Sequence, residues 1–416
     1  MSARLLFPVA LVVLLDVYGY FALRPLVQRA AEPGAAVETA LWFKVAWWGV
    51  TACALVLLVL IATGVEPEWP RAVSVPLRAL FFILYFSKFV ASFFFLLDDL
   101  RRLLQGVYQR VATPVREGFW PDRSRFLTQV ALLAGGLPAA VLSYGIIRNP
   151  YRYRVHEVEV PIVGLSPKHV GLRIAQISDI HSGSFFRTDP VADGIAALND
   201  LAPDVACFTG DLVNARAEEI EPYIDIFSRV DARYGTYSII GNHDYGSYVR
   251  EWGEAERAAN WERLYANHRA LGWDLLLNEH RLLDIDGEPL AIVGVENWSQ
   301  LRNFPRTGDL AAATAGTEEV LTKVLLSHDP THWPAEVMGH RPDIQLQLSG
   351  HTHGFQFGIE IPGFRWSPSQ YVYEHWAGLY TQGQQHLYVN RGYGFLGYPG
   401  RVGILPEVTL LKLVAA

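Results

Sequence analysis

The chain has 416 residues, more than one ordinary domain requires and enough for two or three domains. Half of the residues are hydrophobic, and the formal net charge at pH 7 is −7. Residues 1–150 hold 14 basic and 9 acidic residues, a net charge of +5, whereas the other 21 basic and 33 acidic residues give −12. This acidic C-terminal part argues against nucleic-acid binding, which depends on neutralising phosphates. The two cysteines, Cys53 and Cys207, cannot build a disulfide framework or a thiolate metal site.

Four apolar stretches in the first third of the chain are long enough to cross a bilayer, which takes about 20 residues as a helix. They lie at roughly 5–23, 41–64, 79–97 and 126–147. The alternative is a signal peptide followed by buried core helices, but a signal peptide contains one such stretch, and four within 150 residues are hard to bury otherwise. The sequence therefore predicts an N-terminal α-helical membrane domain with four spans over residues 1–147.

Three charged residues, Asp16, Lys44 and Lys88, interrupt the predicted spans. Charges inside a membrane usually face the interior of the helix bundle or extend toward the interface. Lys44 is near its helix end, which favours the interfacial explanation. Asp16 and Lys88 lie deeper, and an ion pair between them is a hypothesis that the structure can test.

The distribution of arginines predicts the orientation in the membrane. The loops 24–40 and 98–125 lie on one side and carry eight arginines, against six on the other side. The positive-inside rule places the more basic loops in the cytoplasm. The sequence thus predicts an integral protein of the inner or plasma membrane whose C-terminal domain is extracytoplasmic.

Residues 148–170 are interpreted as a neck in which the alternation over 151–160 predicts a strand. The pattern after residue 171 alternates between strand, loop and helix. Strands are predicted at 172–177, 205–208 and 237–240, and helices at 188–198 and 217–229. After residue 280 strands dominate, at 281–285, 290–295, 324–326, 344–348, 386–389 and 408–413. This order indicates an α/β domain over 171–416 with two packed sheets flanked by helices.

Five short polar motifs each follow one of these apolar runs, where strands end and loops begin and where α/β sheets collect their functional residues. They are Asp179-Ile180-His181, Gly210-Asp211, Gly241-Asn242-His243-Asp244, Ser327-His328-Asp329 and Gly350-His351-Thr352-His353. Each motif alone is weak, since a single His-Xaa-His is more often an ordinary loop. Five in order, each at a strand end, predict a centre that binds two metal ions.

The motif residues supply hard and borderline metal ligands. Asp179 and His181 offer a carboxylate and an imidazole, Asp211 can bridge two cations, and Asn242 offers a neutral amide oxygen. Three more imidazoles complete the set, those of His328, His351 and His353. Nitrogen and oxygen ligands without thiolate favour two divalent ions, Mn, Fe or Zn, over a structural zinc.

The region from about 171 to 413 resembles the calcineurin-like metallophosphoesterase superfamily. The stretches QISDIH, FTGDLVN, IIGNHDY, LLSHDP and LSGHTHG carry the resemblance, and LYVNRGYGFLGYPGRVGILPEVTLL is similar to its membrane-associated bacterial subgroup. The subgroup includes transmembrane proteins with a metallophosphoesterase domain. The resemblance implies a hydrolase of phosphoric esters whose fold is a four-layer sandwich of two mixed β-sheets between helices.

The resemblance also assigns roles. Asp179, His181, Asp211 and His353 would hold the first metal, and Asp211, Asn242, His328 and His351 the second. His243 would protonate the leaving group or stabilise the transition state, oriented by Asp244. Two divalent ions about 3.5–4 Å apart lower the pKa of a bridging water, and the resulting hydroxide would attack phosphorus in line.

Two departures bear on the substrate. The subgroup commonly continues the last motif as Gly-Gly-Gln, whereas this chain has Gly354-Phe355-Gln356, which places a ring near the metals. The segment 245–275 is long and aromatic, and it either packs as a helical pair or forms a cap that contacts an acyl chain or the membrane surface. Arg391 and His375 are candidate contacts behind the ligands or with phosphate, and Arg391 is equally compatible with a surface position.

These observations predict a membrane-anchored binuclear phosphohydrolase that acts on an amphiphilic, phosphorylated, lipid-linked diester or pyrophosphate and has membrane lipids as partners. The resembled subgroup includes hydrolysis of UDP-2,3-diacylglucosamine in lipid A synthesis. That substrate is cytoplasmic, which conflicts with the predicted orientation. A non-catalytic membrane receptor or scaffold for phosphorylated ligands is the alternative, and it would show the loss of a ligand or of His243. A transporter is a third reading, supported only by Asp16 and Lys88.

Overall fold

The computed structural model describes residues 3–30, 36–63, 69–112 and 123–416. The chain divides into two compact units, Met1–Tyr144 and Gly145–Ala416. The predicted basic loops 24–40 and 98–125 lie partly outside the described residues, so the orientation in the membrane stays a prediction. Each unit is described separately below.

The N-terminal unit consists of four long apolar helices. They are α1 (Ala3–Ala30), α2 (Ala36–Thr63), α3 (Arg71–Ala112) and α4 (Arg125–Arg148), whose last residues belong to the second unit. Each helix contains a stretch long and apolar enough to cross a membrane: Leu6–Gln28, Val37–Thr63, Val73–Ala112 and Arg125–Arg148. The four predicted spans are confirmed, and each helix extends beyond its predicted apolar stretch.

A polar cluster lies inside this helical unit. The ammonium group of Lys88 contacts the buried carboxylate of Asp16, and the hydroxyl of Tyr85 donates to the same carboxylate at 2.7 Å. The indole of Trp47 donates to the Asp16 carbonyl at 3.0 Å, and Lys88 also lies 4.6 Å from the Trp47 ring centroid. The hypothesised pair is therefore present, and each charge has a partner, as a buried charge requires.

The second unit is built from short strands and helices. Its strands are β1 (Arg154–Ile162), β2 (Arg173–Ile177), β3 (Val205–Thr209), β4 (Thr236–Ile239), β5 (Asp274–Leu275), β6 (Glu279–Ile285), β7 (Glu288–Gly294), β8 (Thr322–Leu326), β9 (Leu346–Ser349), β10 (Ile359–Ile361), β11 (Phe364–Trp366), β12 (Gly378–Gln382), β13 (Gln385–Val389) and β14 (Glu407–Ala415). Its helices are α5 (Asp189–Asn199), α6 (Ile224–Phe227), α7 (Glu254–Leu271) and α8 (Leu310–Thr314).

Two six-stranded mixed sheets form the frame of this unit. The first has the order β1-β14-β2-β3-β4-β5, and β2, β3, β4 and β5 run parallel to one another. The second has the order β12-β13-β9-β8-β7-β6, with β7, β8, β9 and β13 parallel. Strands β10 and β11 form a separate two-stranded hairpin.

Three apolar cores define the four layers. The core between the sheets contains Ile174 and Val205 of the first sheet with Val324 and Leu346 of the second. Helices α5, α6 and α7 cover the outer face of the first sheet, and α8 with the segment Trp333–Val337 covers that of the second. The expected sandwich of two sheets between helices is thus observed.

Two segments differ in detail from the sequence prediction. The strand predicted over 151–160 within the neck is present as β1 but begins three residues later, and it pairs along its whole length with β14 and so extends the first sheet. The helix predicted over 217–229 is a 3₁₀ helix, Ala217–Tyr223, followed by the short α6. Pro222 lacks an amide N–H, which interrupts the hydrogen-bond pattern of an α-helix at that point.

Candidate metal centre

The motif side chains meet because their strands are neighbours. Strands β2, β3 and β4 lie side by side and parallel, so the residues after their carboxyl ends, 179–181, 211 and 242–244, share one edge. Strands β8 and β9 are parallel neighbours in the second sheet, and 328 and 351–353 follow them. Both sheets therefore deliver polar side chains to the same end of the sandwich, as expected from the sequence.

Hydrogen bonds between the sheets fix the distance between the two sets of residues. The side chain of Gln176 on β2 donates to the hydroxyl of Thr209 at 3.0 Å and to the carbonyl of Ser349, on β9, at 2.9 Å. The Nδ1 atom of His328 lies 2.7 Å from the carbonyl of Thr209, on β3. Nδ1 must donate to this carbonyl, so the lone pair of Nε2 is free to bind a metal.

Six of the predicted ligands form two groups. In each group the candidate ligand atoms lie within 4.8 Å of one another. The first group is Asp179, His181 and His353, and the second is Asp211, His328 and His351. The Nε2 atoms of His181 and His353 are 3.0 Å apart, and Nδ1 of His351 is 3.2 Å from Nε2 of His328.

The carboxylate of Asp211 lies between the two groups. Its Oδ2 atom is 3.1 Å from Nε2 of His328 and 3.6 Å from Nε2 of His181. Asn242 adds a buried amide oxygen, Oδ1, which has no hydrogen-bond partner within the described part of the chain. Its amide nitrogen donates to the hydroxyl of Tyr248 at 2.8 Å, which orients Oδ1 and Nδ2.

The donor set fits two divalent cations. Two nitrogens bound at about 2.1 Å and at right angles to one ion would be about 3 Å apart, close to both imidazole pairs. A buried amide oxygen without a partner is costly unless something binds it. The carboxylate of Asp211 lies between the two groups, where it can bind an ion in each of them. The site can therefore hold two ions, while the identity of the ions belongs to the proposal below.

Several candidate ligands have an unusual backbone conformation. The φ angles of Asp179, His181, Asp211, His351 and His353 are 51°, 46°, 60°, 71° and 50°. Residues other than glycine rarely adopt this left-handed region, and each costs about 1–3 kcal/mol unless the surroundings enforce it. Five such residues in one small site indicate that the fold holds the ligands in place at the expense of stability.

Close approach of the backbone explains two glycines of the motifs. A Cβ atom at Gly241 would collide with the carboxylate of Asp211, and one at Gly350 with Ser178 and the carboxylate of Asp179. The loops therefore pack directly against the acidic ligands, and only glycine leaves room for them.

The electrostatics of the site favour bound cations. Burial opposes ionisation of Asp211, but the neighbouring His328 and His243 outweigh it and hold the pKa of Asp211 well below its usual range. Burial would likewise lower the pKa of His328, but Asp211 and then Asp179 outweigh it and raise that pKa to about 10. The proton of His328 thus balances the buried carboxylates, a role that metal ions can take over.

The role expected of Asp244 is corrected by the structure. Its carboxylate accepts hydrogen bonds from the backbone N–H groups of Gly241, Asp211, Leu212 and Val213 at 2.8–3.2 Å. The Asp244 carboxylate is therefore hydrogen-bonded to the two ligand loops after β3 and β4, and it does not orient the ring of His243. Burial, and then the charge of Asp211, raise the pKa of Asp244 to about 7.

The ring of His243 is oriented by other groups. Its Nδ1 atom lies 2.6 Å from the carbonyl of Asn214 and must donate to it, which leaves Nε2 as the other functional nitrogen. The ring stacks on Tyr248 at 4.3 Å and meets His181 edge-on at 4.8 Å. Any residue can supply a backbone carbonyl, so the sequence does not mark Asn214 as the partner of His243. The resemblance assigned this orienting role to the adjacent Asp244.

Two residues behind His351 were not identified from the sequence. The hydroxyl of Tyr373 lies 2.9 Å from Nε2 of His351, and the carboxylate of Asp329 lies 3.5 Å from the same atom. Both contacts favour a hydrogen on Nε2, which leaves Nδ1 facing His328. Asp329 stood within a recognised motif, whereas Tyr373 lies far from every motif.

An open cleft of about 310 Å³ lies over the ligands. Its walls include His243, Phe304, Phe355, Tyr373 and Tyr398. Phe355, the residue that replaces a glycine of the subgroup, is half exposed at the rim. The cleft is polar at its base and aromatic at its rim, which suits a phosphate group carrying an apolar substituent.

The remaining sequence candidates take structural positions. Arg391 is buried and pairs with Glu407 and Glu360, so it is neither a surface charge nor a residue of the cleft wall. His375 packs edge-on against Trp333, also outside the cleft wall. In the segment 245–275, Trp261 packs against Tyr245 and against the core between α7 and the first sheet. Tyr248 of the same segment reaches the metal centre, where its hydroxyl accepts a hydrogen bond from Asn242. The expected helical pair is not observed, because the segment holds the single helix α7, which packs on the core of the first sheet, and one residue contributes to the centre.

Two groups of candidate nitrogen and oxygen ligands, with the carboxylate of Asp211 between them at the base of a cleft, are characteristic of a class of protein, the metal-dependent hydrolases. Residues 172–355 match the family model of the calcineurin-like phosphoesterases, and residues 3–150 match that of a probable calcineurin-like phosphoesterase transmembrane domain. The chain belongs to the calcineurin-like phosphoesterase family and is a membrane-associated hydrolase of phosphoric esters.

Relatives agree with this assignment. The chain is 28% identical over 356 residues to a transmembrane protein with metallophosphoesterase domain from Danio rerio, covering 84% of this chain and 75% of the relative. It is 30% identical over 299 residues to the uncharacterized metallophosphoesterase YkuE of Bacillus subtilis, covering 70% and 97%. It is 29% identical over 250 residues to the phosphodiesterase YaeI of Escherichia coli, covering 58% and 82%.

Proposed function

We propose that this protein is a membrane-anchored binuclear phosphodiesterase that cleaves a lipid-linked phosphodiester or pyrophosphate. The observation that carries the proposal is the position of the Asp211 carboxylate, whose Oδ2 faces an imidazole of each ligand group at 3.1 and 3.6 Å. One carboxylate between two such groups is the arrangement of a two-metal phosphoesterase centre.

The proposed ligand sets follow the two groups. Asp179, His181 and His353 hold one ion, His328, His351 and Asn242 hold the other, and Asp211 binds both. The ligand chemistry suits Mn, Fe or Zn. When bound, two such ions lower the pKa of a water nucleophile and neutralise charge on the phosphate oxygens.

His243 is the proposed proton donor or transition-state stabiliser. The carbonyl of Asn214 fixes its tautomer, and stacking on Tyr248 fixes its plane. Its Nε2 atom would donate a hydrogen bond to a phosphate oxygen or a proton to the leaving group. Asp244 acts on the reaction only through the ligand loops that its carboxylate holds together.

The substrate class rests on the cleft and the membrane unit. The cleft holds a head group but is too small for a whole lipid, and its aromatic rim lies beside the phosphate position. A domain attached to four candidate spans meets amphiphilic molecules more readily than soluble ones. The relative named a phosphodiesterase favours a diester over a monoester. The UDP-2,3-diacylglucosamine assignment remains an expectation from resemblance.

The test uses purified full-length protein in detergent with added Mn. Rates on bis-p-nitrophenyl phosphate and p-nitrophenyl phosphate are compared for the native chain, Asp211→Asn and the matched control Asp231→Asn, an exposed aspartate outside the site. We expect metal-dependent diester cleavage that only Asp211→Asn abolishes. Absence of activity together with absence of bound metal would replace this proposal with the non-catalytic receptor.

The extracytoplasmic position of the catalytic domain is a separate proposal, supported by the eight-to-six arginine bias. Reporters that are active on only one side of the membrane, alkaline phosphatase and green fluorescent protein, can be fused after Ala416. Phosphatase activity without fluorescence supports this orientation. The reverse result places the site in the cytoplasm, where a cytoplasmic lipid precursor could reach it.

A further inference from the structure

The hairpin formed by β10 and β11 is amphipathic. Its cross-strand pairs are Ile359 with Trp366, Glu360 with Arg365 and Ile361 with Phe364. Paired residues of antiparallel strands lie on the same face, and successive residues alternate. One face therefore carries only Ile359, Ile361, Phe364 and Trp366, and the other carries the charged pair.

The orientation of this hairpin is the reverse of that expected in water. Ile359, Ile361 and Phe364 are 48%, 58% and 53% exposed, while Glu360 is turned toward the body of the domain. The Glu360 carboxylate pairs with Nη2 of Arg391 at 2.5 Å and lies 3.7 Å from Nη1 of Arg154. Ion pairs thus hold Glu360 inward, the exposed Arg365 lies 5.0 Å from the ring centroid of Trp376, and the apolar face points outward, although sheets in soluble domains place apolar residues inward.

The apolar surface continues beyond the hairpin to the rim of the cleft. Its large exposed side chains, which we call the apolar patch, are Phe357, Ile359, Ile361, Phe364, Tyr371 and Val372. The half-exposed Phe355 links this patch to the cleft that holds the candidate ligands. The indole of Trp366 donates to the hydroxyl of Tyr371 at 3.4 Å, and such amphipathic rings favour membrane–water interfaces. Contiguous patches of this kind mark interaction surfaces.

The base of the hairpin is joined to the end of α4. The amide of Gly358 donates to the carbonyl of Val402 at 2.8 Å, and the amide of Val402 donates to Gln356 at 2.7 Å. The next residue back, Arg401, donates its amide to the carbonyl of Gly145 at 3.1 Å. Gly145 lies in the last turn of α4, in the part of that helix that belongs to the catalytic unit. The hairpin base is therefore close to the point where the chain leaves its fourth candidate span.

We infer that the apolar patch inserts into the interfacial layer of the lipid bilayer that holds the four spans. The occupant is lipid because the base of the hairpin is close to the end of α4, the patch combines aliphatic with interfacial aromatic side chains, and the one acidic side chain of the hairpin, Glu360, is turned inward. A second part of this inference rests on the proposed function: the acyl chains of the substrate lie along Phe357 and Phe355 while its head group enters the cleft.

Spin labelling of the full-length protein in phospholipid nanodiscs tests the insertion directly. In a Cys53→Ser background the remaining Cys207 is buried, so a label at Ile361→Cys reports the hairpin. The matched control is Leu321→Cys, which is 68% exposed and precedes β8, at the end opposite the ligands. We expect the label at 361 to collide with oxygen more than with a nickel chelate, and the label at 321 to show the reverse. Equal nickel accessibility at both positions, or dipolar broadening between copies at 361, would overturn the inference.

Kinetics separate this inference from the proposed function. The double variant Ile361→Asp/Phe364→Asp and the control Leu321→Asp are assayed on hexadecyl p-nitrophenyl phosphate in vesicles and on soluble bis-p-nitrophenyl phosphate. The double variant should lose at least about tenfold on the vesicle substrate and nothing on the soluble one, because burial of two large apolar side chains is lost. Equal rates on vesicles would contradict the inference. An inactive native protein would contradict the proposed function while the spin-label result still stands.

Discussion

Two buried charged clusters of the catalytic unit, the metal centre and the cluster around Glu407, differ in how their polar groups are satisfied. Glu407 accepts hydrogen bonds from Tyr388 at 2.6 Å, from Nη1 of Arg391 at 2.5 Å and from Thr409. Burial opposes its ionisation, but Arg391 outweighs it and lowers the pKa of Glu407 to about 2. The carboxylate of Glu407 is thus satisfied by residues of its own cluster, and Nε of Arg391 is the atom of this ion pair that lacks a hydrogen-bond partner among the described residues.

The metal centre is not closed in this way. Its imidazole nitrogens face each other at 3.0 and 3.2 Å, the Asn242 amide oxygen has no partner among the described residues, and five ligands have left-handed backbones. Both clusters are buried, so burial alone does not separate them. Unpaired ligand atoms on a strained backbone indicate a binding site, whereas a carboxylate saturated by its own ion pair on an ordinary backbone indicates a structural role.

The largest effect should come from the shared carboxylate. Asp211→Asn removes the charge between both ligand groups, and the loss of several kcal/mol of charge stabilisation corresponds to a drop of about 10³-fold or more in kcat/KM on the diester. Turnover by the detergent-purified protein measures it. The control Asp231→Asn should match the native rate. An Asp211→Asn rate within tenfold of the native rate would contradict the assignment of the metal centre, rather than the Glu407 cluster, as the functional site.

In contrast, Glu407→Gln should affect stability. Removing one partner leaves the buried Arg391 charge paired only with Glu360, at a cost of about 3–5 kcal/mol in the free energy of unfolding. Chemical denaturation of the full-length protein measures this cost. Glu221→Gln, at an exposed pair with Arg263, should cost less than about 1 kcal/mol. Metal content per folded molecule should stay unchanged, and its loss would show that the two clusters are coupled.

His243→Ala tests catalysis apart from metal binding. Without this ring the leaving group loses its proton donor, so kcat should fall about 10²- to 10³-fold while both metals remain bound. The metal content and kcat of His243→Ala, measured on the same preparation, test both expectations. The exposed His340→Ala serves as control, and an unchanged kcat in His243→Ala would end the assigned role.

Tyr373→Phe should produce a smaller change at the same centre. The variant keeps the ring but removes the hydroxyl that lies 2.9 Å from Nε2 of His351. Loss of such a partner typically weakens metal affinity about 10- to 100-fold. Titration with Mn measures it against Tyr371→Phe, which is exposed and two residues away. Equal affinities would mean that Asp329 alone orients His351.

The last effect is a pH dependence, and it concerns a buried histidine outside both clusters. Burial lowers the pKa of His268 to about 3 from an ordinary value of 6.5. The unfolded chain binds a proton below about pH 6.5, whereas the folded chain does not until about pH 3. Stability is therefore complete above pH 6.5 and is lost as pH falls through this window, by up to about 1.4 kcal/mol per pH unit. His268→Gln should flatten this slope in denaturation curves, and His340→Gln should not.

The sequence predicted the features that depend on local pattern. Four apolar stretches gave four helices, and the strand ends brought six of the seven proposed ligands into two groups, because parallel neighbours share an edge. The Asp16–Lys88 pair followed from burial of charge in an apolar segment. Ligand roles and the side of the membrane stay predictions.

The features that the sequence could not predict depend on distant residues. Asp244 was assigned to the adjacent His243, but its carboxylate reaches backbone amides of the neighbouring strand loop. Tyr373 meets His351 across 22 positions with no motif to mark it. The apolar patch alternates like an ordinary half-buried strand, and only the structure places its apolar side outward.

Metal stoichiometry linked to turnover tests the central claim most directly. Metal-free full-length protein in detergent is titrated with Mn, and bound ions and bis-p-nitrophenyl phosphate cleavage are measured on the same samples. The account predicts two ions per native chain, activity that rises as the second ion binds, and fewer than two ions with no activity in Asp211→Asn. Full activity of the metal-free protein, or a single ion at saturation, would contradict it.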